Sequence, residues 1–200
     1  MHNPFLVGEK VYLRALERGD LSGPMFDWAN DPDVTQYMYM GWVPNTPEAL
    51  EREFNLLRAD GTAGLLQLHE HPTTIIFAAV DKQTDVHIGN VGLFDISWVM
   101  RVGELRAIIG DRQHWGGFAT DAYKLILKYA FDRLNLRRII AGTRADNVRS
   151  IVNLRKLGFV EEGRQREHFL RNEVPYDIVQ FGLLRREFFA LPAMAASASK

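Results

Sequence analysis

Gly116 and Gly117 stand between an apolar run that closes at Gly110 and a helical pattern that begins directly after them. Paired glycines at a helix entrance leave several backbone N–H groups uncovered. The helix dipole adds partial positive charge at the same place. The stretch from Ile108 to Thr120 is therefore suited to hold an anion, above all a phosphate. Taken alone, a diglycine before a helix is equally a tight strand-to-helix turn.

A second stretch runs Asn147-Val148-Arg149-Ser150-Ile151-Val152-Asn153-Leu154-Arg155-Lys156-Leu157-Gly158-Phe159. It opens on a residue type that caps helices and closes on one that ends them. Together the two stretches resemble the GCN5-related N-acetyltransferases, the GNAT superfamily. The first is similar to its acetyl-CoA-binding motif, Gln/Arg-x-x-Gly-x-Gly/Ala, here His114-Trp115-Gly116-Gly117-Phe118-Ala119. The second resembles Asn-x-x-Ser-x-x-x-x-x-Lys-x-Gly-Phe. Both look most like the branch that holds the ribosomal-protein N-terminal acetyltransferases, where the first loop commonly reads Trp-Gly-Lys-Gly-Tyr-Ala-Thr-Glu-Ala. The loop here is one residue shorter, and His114 stands where the family has Gln or Arg.

The resemblance covers about residues 9 to 185 and implies an α+β fold. Its centre is a mixed, mostly antiparallel sheet of about seven strands with helices on both faces. The fourth and fifth strands splay apart, and the pantetheine arm of acetyl-CoA lies in the gap as an extra strand. The implied donor contacts are Ile108, Ile109, His114, Trp115, Gly116, Gly117, Phe118, Ala119, Thr120 and Asn147. Many members place a Tyr in the second helix to protonate the departing thiolate, and the matching position here is Leu154. Ser150, the nearest hydroxyl, is assigned to hydrogen-bond that thiolate. A thiol pKa near about 8.5 also lets the thiolate leave unaided.

The acceptor amine must lose a proton, and a carboxylate can take it directly or through water. Glu104 enters the fourth strand where the family often carries a glutamate, on the face of Arg106 and Ile108; a salt bridge to Arg106 is its ordinary alternative. Asp177, in the last strand, is the second candidate, and Glu162 the third. The implied acceptor is a primary amine. A protein N-terminus is the first choice, and polyamines, aminoglycosides and amino-sugars are alternatives. A noncatalytic acyl-CoA-binding regulator is the competing reading from another class.

Composition agrees with an enzyme of this kind. Two hundred residues suit one domain, expected over 1–191 with a disordered tail over 192–200. Zero cysteines exclude disulfides, thiolate metal sites and a cysteine acyl-enzyme, so transfer is expected to be direct in a ternary complex. No metal is expected: His69-Glu70-His71 offers alternate residues in a loop without a third ligand. A net charge of −1 supplies no field for nucleic acid or anionic membrane. The Arg137-Arg138 pair and the cluster Arg144, Arg149, Arg155 and Lys156 read as solvated or as coenzyme A phosphate contacts. No signal peptide or membrane-length apolar run is evident. The expectation is a cytoplasmic monomer or homodimer.

Along the chain, strands are expected at Glu9 to Leu16, Thr73 to Asp81, Val86 to Phe94, Glu104 to Gly110 and Arg137 to Thr143. A C-terminal hairpin, Phe159 to Phe169 and Tyr176 to Leu184, follows. Asp20 is read as the N-cap of a helix through Phe26 and Trp28, and Thr46-Pro47 opens another to about Ala59. The main helix runs from Gly116 or Gly117 to about Leu134, with Asp121, Lys124, Lys128 and Asp132 towards water. Gly89 and Gly92 announce a bulge or close backbone approach. Tyr37 to Val43 is aromatic and either lines an acceptor pocket or packs under a loop.

Overall fold

The structure is a computed structural model that describes residues 1–57 and 71–192. A short strand β1 (Leu6–Val7) and β2 (Val11–Ala15) lead into helices α1 (Arg18–Leu21), α2 (Pro24–Asn30), α3 (Pro32–Thr35) and α4 (Pro47–Leu57). Strands β3 (Ile75–Asp81), β4 (His87–Ser97) and β5 (Val102–Ile109) follow, then a single 3-10 turn (Arg112–His114) and α5 (Phe118–Asp132). The chain closes with β6 (Arg138–Arg144), α6 (Val148–Lys156), the hairpin β7 (Val160–Arg171) and β8 (Val174–Leu184), and α7 (Arg185–Ala190).

The strands form one eight-stranded sheet in the order β1-β2-β3-β4-β5-β6-β8-β7. Every neighbouring pair is antiparallel except β5 and β6, which are parallel. The sheet thus has one strand more than expected, because Leu6 and Val7 pair with Leu13 and Tyr12. A two-residue strand is too short to show the alternation that reveals strands in sequence. Between β5 and β6 the pairing covers only Val102↔Arg138, Gly103↔Ile139 and Glu104↔Ile140. Both strands continue well past that point, so the sheet opens beyond Glu104. With β1 counted, the expected splay between the fourth and fifth strands lies here.

Helix α5 holds the sheet from one face. Its Ala122, Ile126, Leu127, Ala130 and Phe131 are buried against Val11 and Leu13 of β2, Ala79 of β3 and Val91 and Leu93 of β4. These positions repeat every three or four residues, which gathers them on one stripe. Each fully buried Leu, Ile or Phe contributes roughly 1.5–3 kcal/mol. Leu154 of α6 and Phe188 of α7 join the same core. On the opposite face α2 lies so close that a Cβ on Gly110 would come 1.9 Å from Trp28 Cδ2. Gly110 therefore ends β5 for want of space. The irregularity announced by Gly89 is a register shift of β3 against β4 between Ala79 and Val80.

Three local expectations need correction. The helix expected from Asp20 is two helices, broken at Ser22 and Gly23, and Asp20 lies inside α1 rather than at its cap. Its carboxylate instead takes the Glu17 N–H (2.8 Å) and a buried two-pronged contact from Arg14 (2.7 and 2.8 Å). Asp121 is half-buried and does not simply face water. It accepts the N–H groups of Lys10 (2.8 Å) and Val11 (3.0 Å), because the bare Gly8 leaves room for its carboxylate. Arg144 is not solvated: it is 5% exposed. It is paired with Asp146 (2.5 Å), donates to the Gln36 carbonyl (2.7 Å) and lies 3.7 Å from the Tyr176 ring centre. His69, Glu70 and the expected tail beyond Pro192 lie outside the described residues; His71 packs on Trp98, ring centres 4.9 Å apart.

Candidate active site

The opening between β5 and β6 holds a cavity of about 620 Å³. Its wall includes Glu104, Arg106 and Ile108 from one face of β5 and Leu105 and Ala107 from the other. Strand alternation sends those two sets to opposite sides of the sheet. The cavity therefore runs through the sheet. On the far side Tyr123 of α5 and Asn147, Ser150 and Leu154 of the α6 region line it; on the near side Tyr37, Tyr39, Gln165 and His168 do. Part of the aromatic segment from Tyr37 thus does line a pocket.

The glycine turn follows β5 in the chain, just beyond Ile108, the last residue of that strand on the cavity wall. Gly117 is the N-cap of α5 with φ +89°, the left-handed region that glycine enters without cost. No side chain caps this helix. Among the described residues the N–H groups of Phe118, Ala119 and Thr120 have no hydrogen-bond partner, as expected of an uncapped first turn. Two cations stand beside them, which the sequence did not reveal together. Lys10 Nζ would be 3.2 Å from a Cβ on Gly117 and lies 5.3 Å from the Phe118 ring centre. The Arg149 guanidinium lies 4.5 Å from the Trp115 ring centre. Uncovered amides, a helix dipole and two cations suit a polyanion such as a phosphate chain.

Neighbouring residues shape the turn rather than present free groups. His114 Nε2 lies 3.0 Å from Asp81 Oδ2, and its Nδ1 lies 3.0 Å from Asp111 Oδ2. Burial pushes the Asp81 carboxyl up, but the Gln83 N–H and His114 outweigh this and hold it below the usual range. Thr120 Oγ1 donates to Asn153 Oδ1 (2.6 Å) and ties α5 to α6. Trp115 Nε1 donates to the Ile109 carbonyl at 2.7 Å. Gly110 donates to Ile88 across β4, at 3.0 Å. The two-residue alternation of a strand therefore turns the Ile108 amide groups towards β4 and those of Ile109 towards the opening.

The titratable candidates fare differently. Glu104 lines the cavity with its side chain 25% exposed, and its Oε2 accepts from Arg106 Nη2 at 2.7 Å. Asn147 caps α6 by accepting the Ser150 N–H (3.2 Å). The Ser150 hydroxyl makes no hydrogen bond among the described residues. Asp177 does not line the cavity: it accepts the Glu167 N–H (2.9 Å) and pairs with Arg164 (3.3 Å). The Glu167 amide, with Arg164 and Arg166, holds its carboxyl below the usual range. Glu162 is bound to Arg138 and likewise stands outside. Glu53 of α4 lines the mouth as an exposed carboxylate, a residue for which the sequence offered no signal.

A sheet opened between two parallel strands, with an anion-binding helix start at its edge, is the architecture of an acyl-CoA-dependent transferase. The family model for the acetyltransferase (GNAT) domain matches residues 10–160, and the chain belongs to that family. It is 32% identical over 186 residues to an uncharacterized N-acetyltransferase, p20, of Bacillus licheniformis, covering 92% of this chain and 97% of that one. It is 31% identical over 180 residues to the spermidine N(1)-acetyltransferase of Escherichia coli K12, covering 90% and 89%. The crystal structure of spermidine N-acetyltransferase from Vibrio cholerae in complex with CoA and spermine superposes with a TM-score of 0.76 at 29% identity, covering 90% of this chain and 98% of that one. The protein is thus an N-acetyltransferase that uses acetyl-CoA. No helix among the described residues is long and apolar enough to cross a membrane.

Proposed function

We propose that this enzyme acetylates the primary amine of a small molecule, by direct attack on acetyl-CoA in a ternary complex in the cytoplasm. One observation carries the reading: a single cavity runs through the gap in the sheet, from Asn147 and Ser150 at the start of α6 to a carboxylate on the other face. The pyrophosphate is received by the amides after Gly117, with Lys10 and Arg149 adding charge. The pantetheine arm lies along the open edge of β5 at Ile109, with Asn147 and Ser150 across from it. The amine enters from the side of Tyr37 and His168 and loses its proton to Glu104, directly or through one water. Asp177 is the weaker base of the two, since it is held ionised by its own contacts and lies off the cavity.

Aliphatic polyamines are the first acceptor class to test. Two relatives act on spermidine by name, and Glu53 at the mouth with Glu104 inside suits a molecule carrying more than one cation. The test is release of free thiol from acetyl-CoA over a panel of spermidine, an amino-sugar, an aminoglycoside and a short peptide with a free N-terminus. Turnover of spermidine well above the others supports the reading. Selective turnover of the peptide moves the acceptor to a protein N-terminus, and no thiol release with any amine overturns acetyl transfer to these classes.

A further inference from the structure

The family's tyrosine in the second motif helix is replaced here by Leu154, which is buried (3% exposed) and apolar. The departing sulfur is left without that donor. One turn into α5, Tyr123 lines the same cavity, together with Leu154, Ser150 and Ala107. Its hydroxyl has no hydrogen-bond partner among the described residues. Tyr123 is half-buried and its hydroxyl is not sealed from solvent, so a molecule bound in the cavity can reach it.

We propose that the Tyr123 hydroxyl donates the hydrogen bond to the coenzyme A sulfur as it departs, a role moved in this chain from α6 to α5. The proposal rests on the acetyltransferase reading. In the step itself the amine nitrogen forms a bond to the carbonyl carbon and its proton passes to Glu104 or water. The C–S bond then breaks, and its electron pair stays on sulfur. Tyr123 stabilises that thiolate by hydrogen bonding and keeps its own proton. Burial pushes the phenol up to about 12, above an ordinary thiol near about 8.5, so full transfer from oxygen to sulfur is uphill. The thiolate takes its proton from water after release. Ser150 is the rival, but a phenol is a stronger hydrogen-bond donor than an aliphatic hydroxyl.

Tyr123→Phe keeps the ring and removes the hydroxyl. With the amine that wild type turns over best, kcat is expected to fall about 10- to 100-fold, below or at the loss typical of one such donor. The KM for acetyl-CoA is expected to stay within about twofold. A second measurement does not need turnover. Binding of free coenzyme A is followed from pH 7 to 10, with the desulfo analogue as control. If Tyr123 faces the sulfur, wild type binds coenzyme A more tightly as the thiol ionises, Tyr123→Phe loses that rise, and the control is flat in both. A merely packing role leaves that pH dependence in place. Unchanged kcat and unchanged pH dependence in Tyr123→Phe overturn the assignment, and the same changes in Ser150→Ala instead return the role to Ser150. If wild type releases no thiol with any amine, the acetyltransferase reading fails, and the coenzyme A titration still decides whether Tyr123 faces the sulfur.

Discussion

Glu104 and Arg106, two residues apart on β5, are joined by a 2.7 Å ion pair on the wall of the cavity. Arg106 also holds Asp95 at 2.8 Å, and its guanidinium lies 4.8 Å from the Phe94 ring centre. The carboxylate is therefore fixed in direction on the cavity wall. If it is the base, Glu104→Gln keeps the shape and lowers kcat by about 10²–10⁴, with acetyl-CoA affinity nearly unchanged. An ion pair of purely structural use gives another result: normal turnover and a stability loss of about 0–1 kcal/mol. Steady-state kinetics beside a urea titration separate the two, and normal kcat transfers the role to Asp177.

At Gly117 the φ of +89° and the open amides act together. Gly117→Val introduces a branched side chain where the left-handed backbone resists it and where a phosphate must approach. The variant is expected to fold, since the turn is at the surface, and to lose acetyl-CoA binding in calorimetry. Normal binding in a folded variant removes the turn from the donor site.

Lys10 supplies a cation from a different part of the chain. Lys10→Gln is expected to weaken acetyl-CoA binding several-fold at low salt, and by less at high salt as screening removes the contribution from both proteins. A salt-independent effect, or none, places Lys10 outside the donor site. Its contact with Phe118 would then be packing only.

Acetyl-CoA binds the native state, so it is expected to raise the unfolding free energy by roughly 2.7 kcal/mol when present at 100 times its dissociation constant. Thermal unfolding with and without the donor measures this. An unmoved Tm at millimolar acetyl-CoA counts against the whole passage as its binding site.

A buried cluster sets the acid limit. Burial pushes Asp20 up, but Arg14 and the Glu17 amide outweigh it and hold the carboxyl below its usual range. That stabilisation is complete above about pH 4 and is lost as pH falls through the lowered value. Burial holds His87 below its usual value of about 6.5, against the pull of Asp20. The folded state therefore prefers neutral His87, and stability starts to fall as pH drops below about 6.5. Urea midpoints are expected to decline from pH 7 to 5, with the upper part of the decline absent in His87→Gln. Asp20→Asn at pH 7 is expected to cost about 3–5 kcal/mol, because Arg14 is left buried and unpaired. A midpoint that rises between pH 7 and 5.5 contradicts this assignment.

Much of the site is written in short segments of chain. The Gly116-Gly117 turn, the Asn147 cap and the closing Gly158 with φ +87° each depend on residues within a few positions, so local pattern was enough to place them. The two-residue period of β5 likewise put Glu104, Arg106 and Ile108 on one face. Burial and partners are another matter, because they depend on which distant elements pack together. Arg144 looked like a surface cation until β6, β7 and β8 enclosed it with Tyr37, Phe169 and Tyr176. Asp121 looked solvent-facing until α5 docked on β2, where it meets Lys10, 111 positions away in the chain. The passage itself exists because β5 and β6 pair at three positions and then part, leaving Tyr123, Ser150 and Glu104 around one space. Local hydrogen bonding and periodicity fixed the parts, and only tertiary packing decided what each part faces.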